Sequence, residues 1–217
     1  MNIIFLILAR SGSVRIKNKN LQKIKNKTLV AHAIEFAKKI SPLKNIIVST
    51  DSNKIKKIGL KYGLDIKKLR PTEISKSKTS SYVSAKYEIN QFEKHQFAVD
   101  IVVLLQPTSP FRSLKTYKKS LKKFLKYPNI PLITVKKIYP KYNYYKNRKS
   151  KLLRIIKNHR NSQIYEPNGN LFIISKKTLM REKNFFSKKM NFHVIDDIKE
   201  NIDIDTQKDL LLARNLS

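Results

Sequence analysis

Apolar residues in this chain gather into short β-branched runs, separated by longer stretches in which they recur at helical spacing. The runs at 3–8, 45–49, 101–105, 132–135 and 171–174 read as strands. Ile101, Val102, Val103, Leu104 and Leu105 are apolar without alternation, which requires cover on both faces and a central place in a sheet. Between runs, LVAHAIEFAKKI (29–40) sets Leu29, Ala33, Ile34, Phe36 and Ala37 at near-helical spacing. SNKIKKIGLKYG (52–63) predicts a second helix, with Ser52 as N-cap and Gly63 past its end. DTQKDLLLARNL (205–216) predicts a last helix, entered through Asp205 or Thr206. Strands alternating with helices predict βαβ units and an α/β fold on a mainly parallel sheet.

One segment breaks this rhythm. Between 136 and 165 the chain is rich in Tyr, Lys and Asn, with Pro131 and Pro140 nearby. It predicts an inserted hairpin arm on a single domain spanning 1–217, a length that suits one sizeable core. Its tyrosines 139, 142, 144 and 145, with Lys141, Lys146 and Arg148, have the composition to stack single-stranded nucleic acid. Burial against a partner chain is the favoured alternative.

Composition changes the picture in three ways. Hydrophobic residues at 41% supply a core, and the absence of cysteine excludes disulfides and thiolate metal sites. The apolar start is too short for a leader and no stretch approaches a membrane span, so a soluble, cytoplasmic protein is expected. The formal charge of +32 is of the kind that marks polyanion binders. Its lysines, however, are spread along the chain beside abundant Ile and Asn, all with A/T-rich codons. Genome composition is the simpler source, and either way the surface favours anionic ligands such as nucleoside triphosphates.

Three stretches carry candidate chemistry. After the first strand, ARSGS leads into a loop with Arg10, Arg15, Lys17 and Lys19, where Gly12 permits close approach and the cations neutralise phosphate. The pattern is neither a dinucleotide fingerprint nor a P-loop, and a solvated loop is the alternative. LLQPTSPFR (104–112) ends the central strand and delivers Gln106, Thr108 and Ser109 to the same sheet edge, unless it is only a Pro-bounded turn. In ENIDIDT, Ile202 and Ile204 pointing inward would project Asp203 and Asp205 together. Two adjacent carboxylates suit Mg²⁺, which completes its shell with water and phosphate; a helix cap plus a solvated acid is the alternative. Histidines 32, 95, 159 and 193 show no ligand spacing, and no nucleophile motif is present.

With these stretches in hand, the sequence resembles the CMP-sugar cytidylyltransferases, the enzymes that activate sialic acid, related nine-carbon acids and Kdo. ILARSGSVRIKNKNL, IIVSTDS, YGLDIKKLRPTEI, KTSS, VVLLQPTSPFR, EPNGNLFI and IDIDT carry the resemblance nearly end to end. It implies a Rossmann-like three-layer nucleotidyltransferase fold whose inserted arm, at about 136–165, serves dimerisation. It implies that CTP is held by Leu8, Ala9, Arg10, Ser13, Arg15, Lys19 and Asn20, with Arg70 and Ser80 or Ser81 on cytidine and ribose. Gln106 and Asn168 would touch the sugar, and Asp203 and Asp205 would bind Mg²⁺ and, with Arg10 and Lys19, form the catalytic set. The implied reaction joins CTP to an acidic 2-keto sugar and releases pyrophosphate, in a homodimer. The chain departs from the usual family pattern at Val14, Lys17, Ser77 and Glu166. Glu166 stands where many sialic acid enzymes carry arginine, which raises two further expectations: another nonulosonic acid, or an impaired homologue that binds nucleotide or sugar.

Overall fold

The computed structural model describes residues 1–138, 144–148, 151–156 and 163–217, the two short stretches as backbone only. The first strand, β1 (Ile3–Leu8), leads through a loop to a small ribbon, β2 (Lys23–Ile24) and β3 (Lys27–Thr28). There follow α1 (Leu29–Ile40), β4 (Ile46–Ser49), α2 (Asn53–Lys61), α3 (Ser81–Glu93), β5 (Ile101–Leu104) and α4 (Leu114–Leu125). Next come β6 (Leu132–Ile138), the paired strands β7 (Tyr144–Arg148) and β8 (Lys151–Ile156), and then β9 (Ile164–Ser175). The chain closes with α5 (Lys176–Glu182), β10 (Asn191–Val194) and α6 (Gln207–Asn215).

The main sheet runs in the order β10-β6-β9-β5-β1-β4. β9 lies antiparallel to both neighbours, and every other pairing is parallel. Alternate residues of the central strands serve opposite faces, as a pleated strand requires. Phe5, Ile7, Val103 and Ile173 pack with α1, α2 and α4, while Ile4, Leu6, Val102 and Phe172 pack with α3 and α5. Helix–sheet–helix is therefore the architecture, and the run at 101–105 is apolar because both of its faces are covered. Each such Ile, Leu or Phe contributes roughly 1.5–3 kcal/mol through burial.

Local signals set several boundaries. The Ser52 hydroxyl accepts from the Ile55 amide at 3.4 Å, and Gly63 follows α2 at φ 83°, where glycine is unstrained. Thr206 and Asp209 form a reciprocal capping box at the start of α6. The expected strand at 171–174 proves to be the end of the longer β9, whose earlier residues pair Glu166 with Lys136 and Ile164 with Ile138. The flanks of the inserted segment thus extend the sheet. The tyrosine cluster and the arm's role in dimerisation fall outside the residues whose side chains are described.

A third apolar cluster decides where the site forms. Ile16 of the first loop, Ile24 and Leu29 pack against Ile202, Ile204, Leu210 and Ala213. The start and the end of the described chain are thereby fastened side by side, at the C-terminal ends of β1 and β5.

Candidate active site

The loop after β1 is laced to the sheet. The Ala9 amide donates to the Ser49 carbonyl at 2.9 Å, extending the parallel ladder by one residue. The Ser11 amide and hydroxyl both donate to Asp51, at 2.6 and 2.7 Å. Asn20 returns the far end of the loop by donating to the Arg10 carbonyl at 2.8 Å. With Ile16 fully buried beneath it, this loop presents Arg10, Arg15 and Lys19 around a cavity of about 530 Å³.

The opposite wall comes from the segment before α6. The Ile204 amide donates to the Thr108 carbonyl at 2.8 Å, and Ile202 and Ile204 are buried. Asp203 and Asp205 accordingly project to the cavity side, as the period of two anticipates, although the segment is extended chain rather than a sheet strand. Lys19 Nζ donates to Asp205 Oδ1 at 2.8 Å and to the Ile204 carbonyl at 3.0 Å, while Arg15 Nη1 meets Asp205 Oδ2 at 3.2 Å. Asp203 is the more buried carboxylate. Burial pushes its carboxyl above the usual range and Asp205 adds repulsion, while Thr108, Lys19 and Arg112 partly offset both. Its Oδ1 is buried without a hydrogen-bond partner among the described residues.

Two backbone features shape the floor. Gly169 sits at φ 71°, and a β-carbon there would stand 2.8 Å from Ser109 Oγ, 2.9 Å from Gln106 Oε1 and 3.0 Å from Asp203 Oδ2. Glycine is thus what lets β9 close on the end of β5. Arg112 binds the two strands from behind: Nε donates to the Asn170 carbonyl at 2.8 Å and Nη2 to the Gln106 carbonyl at 2.6 Å. Burial pulls this guanidinium down to about 9, still charged at neutral pH, with Asp203 and Glu200 opposing the fall.

At the β4 side, Arg70 is 5% exposed, with Nε donating to Ser75 Oγ at 3.0 Å. Burial lowers its pKa, and Asp51 and Glu88 act against that. The N-terminus of α3 faces the same cavity through Ser81 and Ser84.

Of the residues expected from sequence, Leu8, Arg10, Ser13, Arg15, Lys19 and Asn20 line this one cavity. So do Arg70, Ser81, Gln106, Asp203 and Asp205. Ala9 is fully buried with its amide given to the Ser49 carbonyl, and Ser80 holds the N-cap position of α3 without a side-chain cap bond; neither lines the cavity. Asn168 lies one layer deeper: it is 1% exposed, its Oδ1 accepting from Thr134 and its Nδ2 donating to Asn201, both at 2.7 Å. That placement departs from a direct sugar contact and makes Asn168 a support for Gly169 beside it. Glu166 is paired with Lys136 at 3.1 Å, and Val14 stands 85% exposed at the rim.

Sequence reading passed over Asp51, Glu88, Arg112 and Gly169. Asp51 closely follows β4, and that position was the available signal. Among the described residues no set of three or more His, Asp or Glu side chains gathers as a metal cluster. Two carboxylates on the wall of the 530 Å³ cavity, one with an unpartnered oxygen, suit Mg²⁺, which takes few protein ligands.

Residues 4–216 match the family model described as Cytidylyltransferase. The chain is 31% identical over 225 residues to the CMP-N,N'-diacetyllegionaminic acid synthase of Legionella pneumophila, covering 100% of this chain and 96% of that protein. It is 33% identical over 230 residues to the N-acylneuraminate cytidylyltransferase of Escherichia coli, covering 97% of this chain but 51% of that longer protein. Among solved structures, CMP:2-keto-3-deoxy-manno-octonic acid synthetase complexed with CTP superposes with a TM-score of 0.71 at 16% identity, over 100% of this chain and 98% of that one, a likeness of fold. The chain belongs to the cytidylyltransferase family.

Proposed function

We propose that this cytidylyltransferase transfers CMP from CTP to the anomeric hydroxyl of an acidic nine-carbon 2-keto sugar, releasing pyrophosphate. One observation carries the reading: three basic side chains of the first loop and two carboxylates of the last segment converge on one cavity, with the neutral amide of Gln106 on its floor. The anomeric oxygen attacks the α-phosphorus and gives up its proton to solvent, the bond to the bridging oxygen breaks, and pyrophosphate leaves with the electron pair. Arg10, Arg15 and Lys19 bind the triphosphate and offset the charge that grows on the leaving group. Lys19 is already held by Asp205 and the Ile204 carbonyl, so its ammonium needs little reorganisation. Gln106 orients the sugar by directed hydrogen bonds. Mg²⁺ held by Asp203 and Asp205 would supply charge neutralisation and orientation to the triphosphate. The absence of a nucleophile motif agrees with direct transfer.

A homodimer and a cytoplasmic site of action, where CTP is available, complete the proposal. Among the described residues no helix is long and apolar enough to cross a membrane. The experiment is pyrophosphate release by the purified protein with Mg²⁺ and CTP, across sialic, legionaminic, pseudaminic and Kdo-type acids, with other nucleoside triphosphates as controls. Release with CTP and one sugar class is the expected result. Silence in a protein that still binds CTP points to the impaired homologue, and silence without CTP binding overturns the reading.

A further inference from the structure

The peptide that joins Arg10 to Ser11 is held at both of its polar ends. Asn20 Nδ2 donates to its carbonyl at 2.8 Å, and its N–H donates to Asp51 Oδ1 at 2.6 Å. In a trans peptide these two groups point in opposite directions, so the bonds grip the unit from opposite sides. The unit is planar and nearly rigid, and gripping both ends fixes the orientation of the whole plane. Asp51 adds a further bond, its Oδ2 accepting from Ser11 Oγ at 2.7 Å. Hydrogen bonds to a carboxylate are short and roughly twice as strong as neutral ones.

Asp51 stands on a segment that is itself tied down. The Ser49 carbonyl takes the Ala9 amide at 2.9 Å, and the Thr50 carbonyl accepts from the Arg70 amide at 2.7 Å. The Ser52 amide donates to Thr50 Oγ1 at 3.1 Å, and Ser52 then caps α2. The residues flanking Asp51 are therefore fixed to β1 on one side and to the approach to Arg70 on the other.

The gripped peptide matters for what lies next to it. Arg10, Gly12 and Ser13 line the nucleotide cavity, whereas Ser11 and Asp51 do not. A β-carbon at Gly12 would stand 3.8 Å from Arg10 Nη1, so the guanidinium lies close over the glycine. Turning the 10–11 plane would re-aim Arg10 on one side and the Gly12–Ser13 backbone on the other. Charge alone argues against a carboxylate here, since it repels a triphosphate bound by the same loop. What Asp51 holds explains its presence better than what it repels.

We propose that Asp51 is the positioning residue of the nucleotide loop: through the amide and hydroxyl of Ser11 it sets the 10–11 peptide plane, and with it the direction in which Arg10 meets the triphosphate. The inference rests on the nucleotide reading of the cavity. The two views of Asp51 differ in sign, because loss of a merely repulsive charge tightens CTP and loss of a positioning residue weakens it.

The test is CTP affinity by calorimetry on the whole protein and its variants, with thermal melting to show that each is folded. Asp51→Ala is expected to weaken CTP about tenfold, and less than about threefold in an Arg10→Met background. Asp51→Asn keeps an acceptor for the Ser11 amide and a donor for its hydroxyl, and is expected to stay within about threefold of the wild type. In turnover the loss in Asp51→Ala falls on KM for CTP more than on kcat. If Asp51→Ala does not fold, Asp51→Ser, too short to reach Ser11, takes its place with the same expected loss. Unchanged or tighter CTP binding in the folded variant overturns the inference and leaves the nucleotide reading intact. So does a loss as large in Asp51→Asn, or one undiminished without Arg10. Failure of the wild-type protein to bind CTP overturns both.

Discussion

Lys19 and Asp205 meet at 2.8 Å although 186 positions separate them in the chain. The lysine comes from the loop after β1 and the aspartate from the approach to α6, and each belongs to an element anchored by buried isoleucines. This contact joins the cationic and anionic halves of the cavity. It also keeps Lys19, whose side chain is 17% exposed, aimed across the space that a triphosphate would fill.

Asp203 has the unpartnered oxygen, so it is the sharper test of the metal reading. Asp203→Asn is nearly isosteric and is expected to lower turnover on the order of 100-fold or more while leaving the melting temperature close to that of the wild type. Near-normal activity at saturating Mg²⁺ would refute the assignment of Asp203 to the metal.

At Gly169 a side chain would meet both a left-handed φ and three crowded oxygens. Gly169→Ala adds a β-carbon within 3.0 Å of Ser109, Gln106 and Asp203, at a φ that alanine resists. A loss of about 1–3 kcal/mol in urea unfolding is expected, together with reduced turnover, because the clash lies on the site itself. A variant with unchanged stability and activity would show that β9 and the 106–109 turn need not approach so closely.

Arg112 contributes to stability as well as to shape. In Arg112→Met the carbonyls of Gln106 and Asn170 lose their donor in a partly buried place, for an expected loss of about 3 kcal/mol. Arg112→Lys keeps a charge but not the fork, and is expected to recover only part of that loss. Chemical denaturation of the two variants separates the contributions.

Away from the site, Lys176 reaches both oxygens of Glu93 at 2.6 Å and the Val99 amide donates to the same carboxylate at 2.7 Å. Burial alone would raise the Glu93 pKa, but the lysine and the amide outweigh it and the net shift is downward from 4.5. A depressed carboxyl contributes stability that is complete above the unfolded pKa and lost as pH falls through the folded one. Glu93→Gln should therefore be less stable than the wild type at pH 7, by about 1–2 kcal/mol, and the gap should close as pH falls from 4.5 through the depressed folded value. A gap that stays constant with pH would mean that Glu93 acts through shape alone.

Much of this was legible before the fold was known, and the reasons differ by element. β1, α1 and the caps at Ser52 and Thr206 were readable because their signals are local: a run, a period, a side-chain oxygen at the right place. The pairing of Asp203 with Asp205 was readable because strand periodicity applies even to extended chain outside the sheet. The first part of β9 was hidden by Pro167 and Gly169, which read as breakers until pairing with β6 overrides them. Patterning did not single out α3, whose first turns carry polar residues because they face the cavity. Arg112 was beyond sequence reasoning, since it matters only for the carbonyls of Gln106 and Asn170 that the fold brings to it. The same holds for Asn168, whose motif placed it at the site but whose partners Thr134 and Asn201 place it beneath the surface.

The buried contact of Ile16 with Ile202, Ile204 and Leu210 also sets an order of events during synthesis. A ribosome that has delivered the first two hundred residues has released nearly every strand, yet the nucleotide-facing loop still lacks the floor on which it rests. Closing that loop is a long-range step, among the slowest kinds of contact for a chain to find. Chains that have not yet released residues 202–213 should therefore fold most of their sheet while remaining unable to engage CTP, so that binding competence follows the sheet rather than forming with it.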